Sequence, residues 1–245
     1  RSVTFAEILL ESGYRTGLIG KWHLGDWTVA GHRDYHPTNH GFEYFMGLTG
    51  GGSTPDHPLL EKQGTVRRFN GLTTDILTDE AISFVNGDPS KPFLLCLNYR
   101  APHARWLPVA DEDWAPYADM VPVLPDPDYP DLDAELMMQK MREYLASISG
   151  VDRNVGRLLQ TLIDLKLDAN TVVIFTSDHG YNMGHNGIHH KGNGAWATKT
   201  LPEPTPNIAS KYRPNLYVDS LKVPAIVRWP VVVKPGSVID DSTTS

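Results

Sequence analysis

The stretch "NTVVIFTSDHG", residues 170–180, decides how this chain is read. Val172, Val173, Ile174 and Phe175 form a β-branched and aromatic run without polar alternation. Such a run predicts a strand buried on both faces, as in a parallel sheet covered by helices. Asp178 and His179 then fall just beyond the carboxyl end of that strand, where open α/β sheets bind their ligands. Gly180 and Gly184 permit a sharp exit. Residues 181–194 add His185, His189, His190 and Lys191 in a glycine-rich setting. The choice is between a metal site, an anion site and a polar surface loop.

Two further segments read the same way. "KPFLLCLNYRAPH", residues 91–103, predicts a second buried strand that ends on His103. "TGLIGKWH", residues 16–23, predicts a third that delivers Lys21 and His23. If the extended conformation continues, its period of two puts Lys21 and His23 on one face and Trp22 on the other.

Helices separate these strands. Thr4 and Glu7 make a capping box, Val3 and Ile8 a hydrophobic staple, and Gly13 a C′ stop. Ile76, Leu77, Ala81, Phe84 and Val85 form the stripe of a second helix. Residues 134–167 predict a long helix, bent near Gly150. Residues 26–70, the Asp- and Pro-rich 107–133 and the polar 195–216 read as loops, and "SLKVPAIVRWP" (220–230) as a last strand. This order predicts an α/β/α sandwich with a mostly parallel sheet. No internal repeat and no dividing linker is visible.

With 245 residues, the chain suffices for one large α/β domain or two small ones. Its net charge of −7 argues against broad nucleic-acid or anionic-membrane binding. No apolar stretch is long enough to span a bilayer. The chain opens on "RSVTFAEILL" without an initiator Met, so the lack of a secretory signal carries no weight. Cys96 is the single cysteine, which excludes an intrachain disulfide and a Cys-based zinc knuckle.

Lys21, His23, His103, Asp178, His179 and Lys191 are therefore the candidate site, expected to converge at the carboxyl edge of the sheet. A carboxylate with an imidazole suits a divalent metal. Lysines and further imidazoles suit a tetrahedral oxyanion, which needs several donors in a pocket of low dielectric. Each has a plainer alternative: a solvated strand end for Lys21 and His23, a turn starter for Asp178, a structural histidine at 103, a surface lysine at 191. His185, His189 and His190 read as polar loop packing, and the Asp-rich run 126–133 as a solvated loop. Arg105, Trp106, Lys199, Lys211 and Arg213 are placed to shape substrate choice.

At these residues the chain resembles the sulfatase family of the alkaline phosphatase superfamily. "GYRTGLIGKWHLG" (13–25) is similar to the family's second signature, G-Y-x-T-x-x-x-G-K-W-H-L-G. "APH", "TSDHG", "HNGIHHKGN" and "DSLKVPAIVRWP" follow in the family's order. The resemblance implies an alkaline phosphatase-like fold and hydrolysis of aryl or carbohydrate sulfate monoesters. It implies Asp178 and His179 as ligands of one divalent metal ion, calcium first, with magnesium or manganese as alternatives. Lys21 would hold the sulfate and the nucleophile, and His23 would contact the formylglycine hydroxyl. His103 and Lys191 would bind sulfate and act on the leaving oxygen. It also implies a periplasmic, secreted or lysosomal-type compartment.

The family's formylglycine motif, C/S-x-P-x-R, lies upstream of the second signature, with two more metal-binding aspartates, and neither is found here. "CLNYR" (96–100) has the Cys and Arg spacing, but Asn98 replaces the proline and the segment reads as strand core. Residues 1–245 are thus expected to be a partial catalytic domain, incomplete at both ends and inactive alone. The alternatives are a phosphate or phosphonate ester hydrolase of the same superfamily, and a non-catalytic relative that binds anions or a partner.

Overall fold

The computed structural model describes residues 2–25, 29, 32–192, 194–213, 215 and 217–239. Asn193 of the "HNGIHHKGN" run and parts of the 26–70 segment lie outside the described residues. The chain forms two compact units, Arg1–Met120 with Arg142–Leu162, and Val121–Met141 with Ile163–Ser245.

The first unit opens with α1 (Phe5–Glu11). Its capping box is formed: Glu7 N–H donates to Thr4 Oγ1 at 3.1 Å, and Thr4 N–H to Glu7 Oε2 at 2.8 Å. Val3 and Ile8 are exposed, so the expected staple buries little. Gly13 takes φ +87° at C′, and the Gly13 and Tyr14 N–H groups bond to Leu10 O and Leu9 O, a Schellman closure. β1 (Arg15–Gly20) and β2 (Tyr44–Gly47) follow, then a hairpin of β3 (Leu59–Lys62) and β4 (Thr65–Arg68). Gln63 and Gly64 turn that hairpin with φ of 47° and 82°, the signs of a type I′ turn. The loop reading of 26–70 is thereby corrected. Strands of four residues are too short to show a period.

α2 (Thr73–Val85) leads to β5 (Phe93–Asn98). The sheet order is β4-β3-β2-β1-β5, with β2, β1 and β5 parallel and β3 antiparallel to β2. On one face Ile19, Met46, Leu48 and Leu60 pack against Leu77 and Ala81 of α2, with Leu95 and Leu97 beside them. On the other, Leu18, Phe42 and Phe45 pack on Ala6 of α1, with Leu94 and Cys96 alongside. β5 is thus apolar toward both faces, as read from its sequence. It ends at Asn98 rather than His103, which lies in the turn beyond.

α3 (Asp111–Trp114) and α4 (Ala134–Asp164) complete this unit, α4 through its residues 142–162. α4 runs without a break at Gly150. What the glycine does is make room: a Cβ there would lie 3.1 Å from Asp113 Oδ2. One turn on, Arg153 grips Asp113 bidentately, Nε to Oδ1 at 3.0 Å and Nη2 to Oδ2 at 2.8 Å, and reaches Asp75 at 3.0 Å.

The second unit holds the first turns of α4 and two small sheets. β6 (Val173–Phe175) pairs antiparallel with β11 (Ile226–Arg228). β7 (Asn182–Met183), β8 (Ile188–His190), β9 (Gly194–Trp196) and β10 (Tyr212–Arg213) form an antiparallel sheet in the order β10-β9-β8-β7. The loop reading of 195–216 is corrected only toward its two ends, by β9 and β10. The reading of β6 as a strand buried on both faces is also corrected: Ile174 is 65% exposed and Phe175 41%. Apolar composition marks extended backbone, but burial needs elements packed on each face, and β6 has a single paired neighbour. The aspartates of 126–133 are not merely solvated. Asp126 accepts from Asn186 N–H at 2.6 Å, Asp131 from Thr200 N–H at 2.8 Å, and Asp133 from Leu136 N–H at 3.1 Å at the start of α4.

Asp113 is 4% exposed and depends on Arg153 for charge compensation. Arg153→Met is expected to lower unfolding free energy by about 3 kcal/mol, the usual cost of stranding a buried charge. A urea titration followed by circular dichroism reads this, and an unchanged midpoint would show that the pair contributes nothing.

Candidate active site

In the first unit, β1 and β5 are adjacent and parallel, so the chain leaving each emerges at the same sheet edge. Lys21 follows β1 directly. Its N–H donates to Asn98 C=O at 2.8 Å, and its C=O accepts from Asn98 Nδ2 at 2.9 Å. Gly20 makes this exit possible: it has φ +112°, and a Cβ there would fall 1.9 Å from Asn98 O. The extended backbone does not continue to His23, which takes φ +50°. The alternation argument for Lys21 and His23 therefore fails. A local bend sets His23, while Trp22 Nε1–H is held by Tyr35 O at 2.9 Å.

His23 is exposed and backs onto the glycine-rich loop 50–52, where a Cβ on Gly51 would lie 2.3 Å from His23 Nε2. His103 is half-buried. Its backbone N–H donates to Arg100 O at 2.9 Å, and its Nδ1–H to Ala104 O at 2.7 Å. A carbonyl only accepts, so Nδ1 carries the proton. Cys96 lies in β5 with its thiol pushed up to about 11 by burial.

In the second unit, Asp178 and His179 stand three and four residues past the end of β6. Gly180 turns the chain against residues 219–222: its N–H donates to Ser220 O at 3.0 Å, and a Cβ would meet Asp219 O at 2.1 Å. Ser220 is buried, and its Oγ accepts from Asn182 Nδ2 and Asn215 Nδ2, both at 2.6 Å. This brace, supplied by the "DSLKVP" run, was not foreseen from the sequence. Its only signal there was the position of the run in the family order.

His179 Nδ1–H donates to Gly180 O at 2.8 Å, which fixes Nε2 as the lone-pair nitrogen. Lys191 Nζ donates into that lone pair at 2.6 Å, and Asp178 Oδ2 lies 3.5 Å from the same atom. The β7–β8 hairpin returns the chain and so brings Lys191 to His179.

Asp178 and His179 fit a divalent cation in donor chemistry, one hard oxygen beside one imidazole nitrogen whose other N–H is pinned, as ligating histidines usually are. Among the described residues, no group of three or more His, Cys, Asp or Glu that could hold a metal is formed. Lys191 occupies the lone pair that a cation at this pair would use.

The remaining histidines follow the plainer reading. His185 Nδ1 accepts from Met183 N–H at 3.2 Å. His189 is held low, to about 4, by burial first and then by the charges of Lys140 and His190. Trp106 is buried, donates to Pro102 O at 2.9 Å and stacks edge-on with Tyr144, so it braces the His103 loop rather than meeting substrate. Arg213 is likewise occupied by Asn186 O, Tyr129 OH and Tyr217 OH.

The chain belongs to the sulfatase family, whose model matches residues 1–244. An N-acetylglucosamine-6-O-sulfatase of Bacteroides thetaiotaomicron is 25% identical over 96% of this chain and 50% of that protein. The steryl-sulfatase of Rattus norvegicus is 25% identical over 99% of this chain and 49% of that protein. A solved structure of a protein in complex with its substrate D-glucosamine-2-N,6-O-disulfate superposes with a TM-score of 0.73 at 24% identity, over 96% of this chain and 56% of that one. At that identity the likeness shows the fold, and it bears out the α/β reading of the sequence. The chain spans about half the length of the curated relatives it matches.

Two outcomes follow from this geometry. Lys191→Met removes both a competing donor and a positive charge from His179 Nε2. Mn²⁺ should then broaden the His179 imidazole signals at a several-fold lower concentration than in the unaltered chain. Equal concentrations would show that Lys191 does not compete. For His189 the folded value lies below the ordinary 6.5, so the unfolded chain takes up the proton first. The stability tied to its neutral form is complete above about pH 6.5 and declines as pH falls toward 4. His189→Gln should flatten that decline in urea midpoints measured between those values, and an unchanged slope would assign it elsewhere.

Proposed function

We propose that this chain is part of the catalytic domain of a metal-dependent sulfatase that hydrolyses sulfate monoesters of carbohydrate or aryl alcohols. The observation that carries this reading is the signature 13–25 placed at the carboxyl edge of the parallel sheet. There Lys21 is fixed by two hydrogen bonds to Asn98, and the His103 imidazole is fixed in one tautomer.

Roles follow from charge and geometry. Lys21 offers an ammonium to a sulfate oxygen, and its doubly bonded backbone limits how far that charge wanders. His103 Nε2, when protonated, donates to a second oxygen, with Nδ1 spent on Ala104. His23, bent out of the strand, contacts the nucleophile's hydroxyl. Lys191 delivers a proton or a hydrogen bond to the departing alcohol, where negative charge develops late, so its effect should grow as the leaving group becomes more basic. Asp178 and His179 would hold the metal, for which the family resemblance puts calcium before magnesium or manganese. Bound there, the cation supplies neutralisation of the ester and activation of an attacking hydroxyl, which the family draws from a formylglycine. No C/S-x-P-x-R motif stands in residues 1–245 to provide that group.

The test uses the natural gene product that contains these residues. Rates are measured on 4-nitrophenyl sulfate, on N-acetylglucosamine 6-sulfate and on the matching phosphate esters. Lys21→Ala and His103→Ala are each expected to lower kcat/KM for sulfates by about 100-fold or more, the scale of losing one charge-stabilising donor. Lys191→Ala should hurt the sugar ester more than the nitrophenyl ester. Faster turnover of the phosphate esters would favour a phosphomonoesterase instead. Undiminished rates in the Lys21 and His103 variants would remove these residues from the reaction.

A further inference from the structure

Arg100 is an arginine in an unusual position. It is 7% exposed, yet no described carboxylate forms an ion pair with it. Its partners are backbone carbonyls. Nε–H donates to Ser53 O at 2.7 Å, and Nη2–H to Arg105 O at 2.7 Å. Burial lowers its pKa to about 10, so it remains charged at neutral pH. Two aspartates line the neighbouring small cavity, Asp75 and Asp113, but both are gripped by Arg153. A buried guanidinium that stabilised the unit by charge would be expected to meet a carboxylate. This one is committed to two loops.

Those loops are the ones behind the two imidazoles of the first unit. Ser53 closes the glycine run 50–52, and Gly51 lies directly against the His23 ring. Arg105 ends the turn that carries His103, whose own N–H is tied back to Arg100 O at 2.9 Å. The rigid planar fork of a guanidinium spans two carbonyls at a fixed separation, which an ammonium cannot do. We propose that Arg100 is a positioning residue: it locks the loop behind His23 to the turn that presents His103, and so sets His103 for binding a sulfate group and His23 beside the hydroxyl that attacks it. This rests on the sulfate-site reading of those histidines.

The experiment is nitrogen NMR of the full chain labelled with ¹⁵N at histidine, with inorganic sulfate as the probe. His36, in the same unit and hydrogen-bonded to buried Glu61 at 2.8 Å, reports whether that unit is folded. In Arg100→Met the His23 and His103 signals should both move or broaden without sulfate, while His36 stays in place. The sulfate concentration that half-saturates the His103 shift should rise by about tenfold, in line with the cost of small misplacements at a binding site. Arg100→Lys keeps the charge and can meet one carbonyl at a time. It should preserve the His36 signal and only one of the two histidine positions, so it decides the matter if Arg100→Met does not fold. Unmoved His23 and His103 signals in either variant with His36 intact would overturn the proposal. So would movement of His103 alone in both variants. If sulfate shifts neither histidine in the unaltered chain, the sulfate-site reading fails, whereas the ligand-free signals still judge the coupling through Arg100.

Discussion

Three backbones meet at the end of β1 with no space for a side chain. A Cβ on Gly20 would lie 1.9 Å from the Asn98 carbonyl of β5, and a Cβ on Gly47 of β2 would lie 1.9 Å from the Gly20 carbonyl. Leu48 N–H takes up that same carbonyl at 3.1 Å. This close approach depends on glycine at both positions, and the first unit's candidate residues depend on it. It brings Asn98 within reach of both polar groups of the Lys21 peptide, and it brings the ends of β1 and β5 together at one edge. A larger residue at 20 would push β5 away and carry the His103 turn with it.

The second unit solves a similar problem differently. Asp178 and His179 leave a short exposed ribbon rather than a deep sheet, and what steadies them is the tight passage of Gly180 past residues 219–222. Ser220, itself held by two asparagine amides, anchors that passage. The imidazole is then pinned at Nδ1 by its neighbour's carbonyl and at Nε2 by Lys191. A cation held at this pair would compete with the lysine for the same lone pair.

The supports are polar and local in both units, and they work through backbone carbonyls more than through side-chain pairs. Asn98 and Arg100 spend their hydrogen bonds on main-chain groups, and Asn182 and Asn215 meet at the Ser220 hydroxyl. The asparagines and the serine among them fix direction without adding charge, whereas Arg100 carries its charge into the support. The strong ion pairs of the first unit, around Arg153, instead bind helix to helix.

The sequence by itself determined what is governed by neighbours along the chain. The capping box at Thr4 and the Schellman stop at Gly13 were legible. So was the α/β order, because each depends on a few adjacent residues and their intrinsic conformational preferences. Tertiary structure decided the rest. Four-residue strands carry no usable period, so β2, β3 and β4 appeared only when they paired. The exposure of β6 was set by what packs beside it, not by its apolar composition. His23 left the strand because the bend places it against Gly51. Lys191 reached His179 because a hairpin folded back. Arg100 found two carbonyls that lie 47 and five residues away in sequence, a separation that no local preference encodes.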